Sequence, residues 1–218
     1  MIPKKLHYCW FGDRPLCQLS LDCMESWKEH CPDYEVMFWN ENNIDLEDPF
    51  IAHHIEKKQW AFVSDYVRLQ KLAEHGGVYL DTDFEVVRSL DPLLEEKCFL
   101  GEEKADRVNS GILGAEAGHP FPEQCLDFMR KRFESGQPYL IAPEVCTKVL
   151  TRFSGEINVF PPEFFYPYNP YSDVPGDQKL MFRNITDNTY AIHHWAKSWS
   201  MPLHLKVMRR VSKLVKCA

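Results

Sequence analysis

The chain has 218 residues, 44% hydrophobic and 13% aromatic, enough for one domain with a full core and too apolar for a disordered chain. Lys and Arg number 25 against 32 Asp and Glu, and the resulting formal charge of −7 argues against nucleic acid as a general partner. No apolar run approaches the roughly 20 residues that cross a bilayer, and eight cysteines without a C-x-x-C pair give no support to a structural zinc site.

In chain order, residues 2–12 read as a first strand, because Leu6, Tyr8 and Trp10 alternate before Gly12. No apolar stretch of secretory length precedes His7, so this segment is read as part of the fold and not as a signal. The thiols are then expected to be free in a reducing cytoplasm. Residues 17–30 carry Leu19, Leu21, Met24 and Trp27 at helical spacing and stop before Pro32. Residues 35–39 form a second strand, followed by the polar turn Asn40-Glu41-Asn42-Asn43. A helix is predicted over 56–75, with Phe62, Tyr66, Leu69 and Ala73 on one stripe and Gly76-Gly77 as its stop. A short strand, 78–80, runs into Asp81-Thr82-Asp83. Further strands are expected at 98–102, 112–115 and 189–194, helices at 121–133 and 143–153, and an ordered Pro- and Tyr-rich loop at 161–175. Strand, helix, strand succession of this kind predicts an α/β sheet in a single domain over 1–200.

After Asp187 no acidic residue occurs, whereas Lys197, Lys206, Arg209, Arg210, Lys213 and Lys216 are basic and interleave with Leu203, Val207, Val211 and Leu214. This tail, 201–218, reads equally as a solvated terminal helix or as a peripheral contact with the inner face of a membrane.

The chemistry concentrates in 61–85. In extended backbone, residues two apart share a side, so Asp81 and Asp83 are expected to converge at a strand end. Two carboxylates there suit Mg²⁺ or Mn²⁺, which complete their shells with phosphate and water oxygens. Asp65 and Arg68, three apart on one helix face, are neighbours. They form either a surface ion pair or a recognition pair in which Arg68 meets phosphate or a sugar hydroxyl.

The segments AFVSDYVRL and HGGVYLDTD resemble glycosyltransferase family 32, the DXD sugar-binding region family. That family includes initiating mannosyltransferases, bacterial capsular polysaccharide enzymes and relatives of large glucosylating toxins. The resemblance implies a GT-A fold with a Rossmann-like sheet, and a retaining, metal-dependent transferase. Its donor would be a UDP- or GDP-linked sugar and its acceptor a saccharide or glycolipid, in surface polysaccharide synthesis. It also implies that Asp83 and Asp81 hold the metal, with Asp81 reaching the ribose. Asp65 and Arg68 would hold donor-sugar hydroxyls, with Tyr79 lining the nucleotide pocket and Trp10 stacking on the base. Asn109 would lie between donor sugar and acceptor, as in the family's N-x-G element. The segment AIHHWAKSW resembles the closing element, in which His194, preferred narrowly over His193, completes the metal shell and Ser198 and Trp199 approach phosphate oxygens from a loop. Two other readings stand beside this one: a sugar- or nucleotide-binding module without turnover, and a phosphatase with an aspartate nucleophile.

Overall fold

The structure is a computed structural model that describes residues 1–153 and 157–196. Its first unit is β1 (Lys5–Cys9), α1 (Gln18–His30) and β2 (Glu35–Trp39), a crossover that lays β2 parallel to β1 from Lys5↔Glu35 to Cys9↔Trp39. Next come α2 (Pro49–Glu56), α3 (Trp60–His75), β3 (Gly77–Leu80) and β4 (Phe84–Val86). The hairpin of β5 (Cys98–Lys104) and β6 (Arg107–Ala115) follows, then α4 (Pro120–Glu134), α5 (Ala142–Leu150), β7 (Asn158–Phe160) and β8 (Ala191–His193).

One six-stranded mixed sheet, in the order β2-β1-β3-β6-β5-β7, carries the fold, and β4 and β8 pair antiparallel in a separate two-stranded sheet. Alternation along the central strands divides the core into two layers. Leu6 and Tyr8 of β1 and Val78 and Leu80 of β3 pack toward Trp27 of α1, on the layer that also holds Phe165 and Tyr166. Cys9 and Tyr79 point the other way, onto Val63, Tyr66 and Leu69 of α3 and Val145 of α5. The result is an α/β domain with helices on both faces.

The helix expected over 56–75 is α3, which starts four residues later at Trp60, and a separate helix, α2, precedes it. Asp48 accepts from the amides of Phe50 (2.8 Å) and Ile51 (3.2 Å), and Pro49 sits at the first helical position, so α2 starts seven residues before the expected helix. The polar run Glu56-Lys57-Lys58-Gln59 then breaks it, with Lys58 at φ 52°, before α3 restarts at Trp60. At the far end the prediction of a glycine stop corresponds to Gly76 (φ 62°), whose N–H donates to the Leu72 carbonyl at 2.9 Å, and Gly77 (φ 116°). A Cβ on Gly77 would lie 2.8 Å from the Lys5 carbonyl oxygen, so the tight entry into β3 requires glycine. The 161–175 segment contains only a 3-10 turn, Pro162–Phe164, and the chain that continues to the short β8 is irregular apart from a second such turn, Phe182–Asn184. α2, β4 and β7 were not expected from the sequence, because elements of three to eight residues carry too little periodicity.

The cysteines of the described residues are free, and no helix among those residues is long and apolar enough to cross a membrane. The tail expected at 201–218 lies outside the described residues.

Two histidines sit inside the domain uncharged. His7, with no exposed surface, has its Nε2 2.8 Å from the Gly76 carbonyl and accepts at Nδ1 from Trp39 Nε1. His54 Nδ1 lies 2.6 Å from Gln59 Oε1. Burial lowers each from the usual 6.5 to about 4. Below pH 6.5 the unfolded chain therefore binds protons that the folded chain refuses, so stability present above that pH is lost as the pH falls toward 4. Between pH 7 and 5 we expect the two together to cost the fold on the order of 2–4 kcal/mol, read as a falling urea midpoint. A midpoint constant over this range would contradict the assignment.

Candidate active site

The site forms where β1 and β3 end, the edge at which parallel α/β sheets present ligand-binding groups. Asp81 follows the last residue of β3. It does not continue the strand, as expected from extended-chain geometry; residues 81–84 turn, with the Phe84 amide donating to the Asp81 carbonyl at 3.0 Å. The turn still brings the two carboxylates together while Thr82 is buried toward Ser20 of α1. The chain then enters β4, whose pairing with β8 sets Phe84 opposite His193.

Among the described residues, Asp81, Asp83 and His193 each offer a ligand atom, and these atoms all lie within 4.8 Å of one another. His193 Nε2 is 3.3 Å from Asp83 Oδ1, and its ring stacks on Phe84 at 4.6 Å between centroids. Its other nitrogen, Nδ1, is buried with no hydrogen-bond partner among the described residues. Asp83 Oδ2 accepts from the Ala196 amide at 2.8 Å. Two carboxylates and one imidazole, one of whose nitrogens is buried without a partner among the described residues, fit a divalent cation of the Mn²⁺ or Mg²⁺ type.

His194, preferred as the ligand from sequence, is corrected by this geometry. Strand alternation turns it to the opposite side, where Nε2 lies 2.8 Å from Glu85 Oε2, while its amide donates to the Asp83 carbonyl.

Arg68 is buried and its fork is fully used. Nη2 lies 3.1 Å from Asp81 Oδ1 and 3.2 Å from Asp65 Oδ1, and Nη1 donates to the Ser110 carbonyl at 2.9 Å. The guanidinium sits 4.4 Å from the centre of the Tyr79 ring. Burial opposes its charge, but Asp81, Tyr79 and Asp65 hold it protonated well above the ordinary arginine value. Asp65 is equally committed. Its Oδ2 accepts from Tyr139 Oη (2.6 Å) and from the Ala142 amide (3.0 Å), capping α5 from a different helix. In this structure Asp65 and Arg68 form a buried brace that fixes Asp81.

Tyr79 is likewise in the core and not along a pocket wall: its hydroxyl donates to Asp81 Oδ1 (3.0 Å) and lies 3.1 Å from Ser64 Oγ. Asn109 is buried, with Oδ1 accepting from the Gly111 amide (2.8 Å) and Nδ2 donating to Glu103 (2.6 Å), so it shapes β6 beside the site. Trp10, half-buried just past β1, donates from its indole to the Arg14 carbonyl at 2.6 Å. Ser198 and Trp199 lie outside the described residues. Tyr139, Ser64 and Glu103 were not anticipated, because no motif or spacing ties them to Asp65, Asp81 or Asn109.

The two carboxylates titrate in opposite directions. Burial raises Asp81, with Arg68 opposing and Asp83 adding to the rise. Burial would raise Asp83 too, but His193 and the Ala196 amide bring it below the usual carboxylate value. Gly111 gives Asp81 its room, since a Cβ there would lie 2.8 Å from Asp81 Oδ2 and 2.9 Å from the Phe84 ring. Gly111→Ala is therefore expected to shift Asp81 and weaken Mn²⁺ binding by about 10–100-fold, measured by calorimetry on a protein that still melts cooperatively. Wild-type affinity would mean that the added methyl group does not crowd Asp81.

A mixed sheet of this order, with an acidic turn at the end of β3, is the GT-A architecture of glycosyltransferases. The fold matches the structure titled PaToxG glycosyltransferase at a TM-score of 0.58, 18% identity, and coverage of 69% of this chain and 68% of that one. It matches galactosyltransferase LgtC, solved with donor and acceptor sugar analogs, at 0.52, with 13% identity over 98% of this chain and 95% of that one. The sequence adds a narrower likeness: residues 18–100 match the family described as glycosyltransferase sugar-binding region containing DXD motif. Similar curated proteins include inositol phosphoceramide mannosyltransferase 3 of Schizosaccharomyces pombe, 28% identical over 145 residues, which are 64% of this chain and 40% of that protein. Lactosylceramide 4-alpha-galactosyltransferase of Mus musculus is 28% identical over 171 residues, 71% of this chain and 46% of that one. The chain thus spans less than half the length of these two relatives.

Proposed function

We propose that the protein transfers a sugar, with retention, from a UDP- or GDP-linked donor to a saccharide or glycolipid acceptor, with a divalent cation held by Asp81, Asp83 and His193. The convergence of those three side chains within 4.8 Å carries the reading, and the family match over 18–100 supports it. When bound, the cation would offset diphosphate charge and so improve the leaving group.

The chain's own residues supply position. Arg68, held by Asp65 and Ser110, aims Asp81 and opposes the rise that burial imposes on its carboxyl. The Ala196 amide fixes one oxygen of Asp83. Trp10, at the end of the neighbouring strand, offers its ring to the base. Asp65, with its Oδ2 accepting two hydrogen bonds and its Oδ1 paired with Arg68, is a poor nucleophile. That favours attack of the acceptor hydroxyl on the same face as the departing group. The new bond joins acceptor oxygen to the anomeric carbon, the bond from that carbon to phosphate breaks, and the hydroxyl proton passes to the diphosphate oxygen. Ser198 and Trp199 remain proposed phosphate contacts, and the basic residues after Asp187 support a peripheral contact with an anionic membrane face. Release of nucleoside diphosphate from a panel of sugar nucleotides, with and without Mn²⁺, tests the reading. Metal-dependent release from one donor is expected. Release indifferent to chelator, or phosphate release from a phosphomonoester instead, would overturn it, and a trapped glycosyl-aspartate adduct would overturn the same-face route.

A further inference from the structure

Beside the site, on the side of the β5–β6 hairpin away from α3, lies a groove of about 410 Å³ between Glu103 and the irregular 162–186 segment. Its lining is polar and aromatic: Glu103, Tyr166, Tyr168, Asn169, Asp177 and Arg183. It adjoins the metal residues through two walls. Tyr166 presents its ring to His193 at 5.7 Å and to Phe84 at 5.6 Å. Glu103 accepts from Asn109, Asn109 from the Gly111 amide, and the Gly111 carbonyl from the Asp81 amide at 2.7 Å. The same segment that closes the groove exposes apolar side chains at its rim: Val174 (56%), Met181 (51%), Phe182 (92%) and Ile185 (38%). Four such residues within twelve positions leave apolar surface in water beside the groove.

We propose that this groove and its rim bind the acceptor as an amphiphile in a lipid surface, the saccharide end in the groove and Met181, Phe182 and Ile185 seated among the acyl chains. The identity of the guest as acceptor rests on the transferase reading above. The polarity of the surface itself supplies the rest: hydroxyl-binding groups and aromatic faces inside, bulky apolar groups at the mouth. A free sugar would leave that rim in water, and a wholly apolar guest would strand Glu103, Asn169 and Arg183. The 3-10 turn Phe182–Asn184 carries Phe182 outward and Arg183 along the groove, so the two chemistries alternate on one turn.

The test is co-sedimentation of the full chain with vesicles of phosphatidylcholine alone and of phosphatidylcholine containing mixed neutral glycosphingolipids. Neutral lipid removes any electrostatic gain from the basic C-terminal residues. Wild type is expected to sediment with both and more strongly with the glycolipid. Met181→Ser with Phe182→Ser is expected to weaken both about tenfold or more, without changing metal-dependent donor hydrolysis. Arg183→Gln is expected to lose only the glycolipid increment. Sedimentation of the double variant at wild-type level, no gain from glycolipid, or a concentration-dependent dimer that the double variant abolishes would each overturn the proposal. Absence of donor hydrolysis in wild type would instead strike the transferase reading, since vesicle binding is read independently of it.

Discussion

Asp83→Asn is expected to lower metal-dependent donor turnover by about 10²–10³-fold or more while the fold persists. The substitution is nearly isosteric. The amide oxygen still accepts from Ala196, and the amide nitrogen faces His193 Nε2, which is 3.3 Å from the native carboxylate. It removes one of two negative charges from the group of three that converges within 4.8 Å. Stability should therefore change by no more than about 1–2 kcal/mol, checked by thermal melting, while Mn²⁺ affinity and turnover fall together. Turnover that persisted at the wild-type level with Mn²⁺ would mean that Asp83 does not hold the cation.

Arg68→Met is expected to produce the largest loss of stability of any single change at the site, about 3–5 kcal/mol. The guanidinium pairs with Asp65 Oδ1, and it shares Asp81 Oδ1 with the Tyr79 hydroxyl. Methionine fills much of the volume but leaves two carboxylates beside each other without their cation, and takes away the Ser110 carbonyl's donor. The pH dependence supplies a further check. Protonation removes the uncompensated charge, so the gap between variant and wild type should narrow as the pH falls toward the raised Asp81 value. A urea midpoint within about 1 kcal/mol of wild type at pH 7, or a gap that does not narrow, would show that the brace is not what holds Asp81. Because a buried ion cluster is weak evidence of net stability, its presence under Asp81, the carboxylate we propose for the cation, is better explained by positioning.

Much of this was legible before the structure, for identifiable reasons. The α3 stripe of Phe62, Tyr66 and Leu69, the Gly76-Gly77 stop and the apolar Val78-Tyr79-Leu80 run are long or distinctive signals, and they put Asp81 at the correct strand end. The resemblance of 61–83 to a known family supplied the GT-A fold. What was not legible depends on distance in sequence. Tyr139 and Ala142 meet Asp65 from 74 and 77 residues away, and nothing in QPYLIA announces a cap supplied by another helix. Asp65 and Arg68 looked like free recognition groups because helix spacing shows that they are neighbours and not that they are buried. The choice between His193 and His194 turned on which of two adjacent residues faces inward, and only the pairing of β8 with β4, neither strand longer than three residues, decides it.

The most direct test of the central claim, that Asp81, Asp83 and His193 form the cation site of a nucleotide-sugar transferase, is a crystal structure soaked with UDP and Mn²⁺. One Mn²⁺ is expected at about 2.1 Å from both carboxylates and from a His193 nitrogen, with diphosphate oxygens completing its shell and Arg68 still bound to Asp81. An ion held by His194 and Glu85, or UDP bound with no ion between Asp83 and the diphosphate, would contradict it.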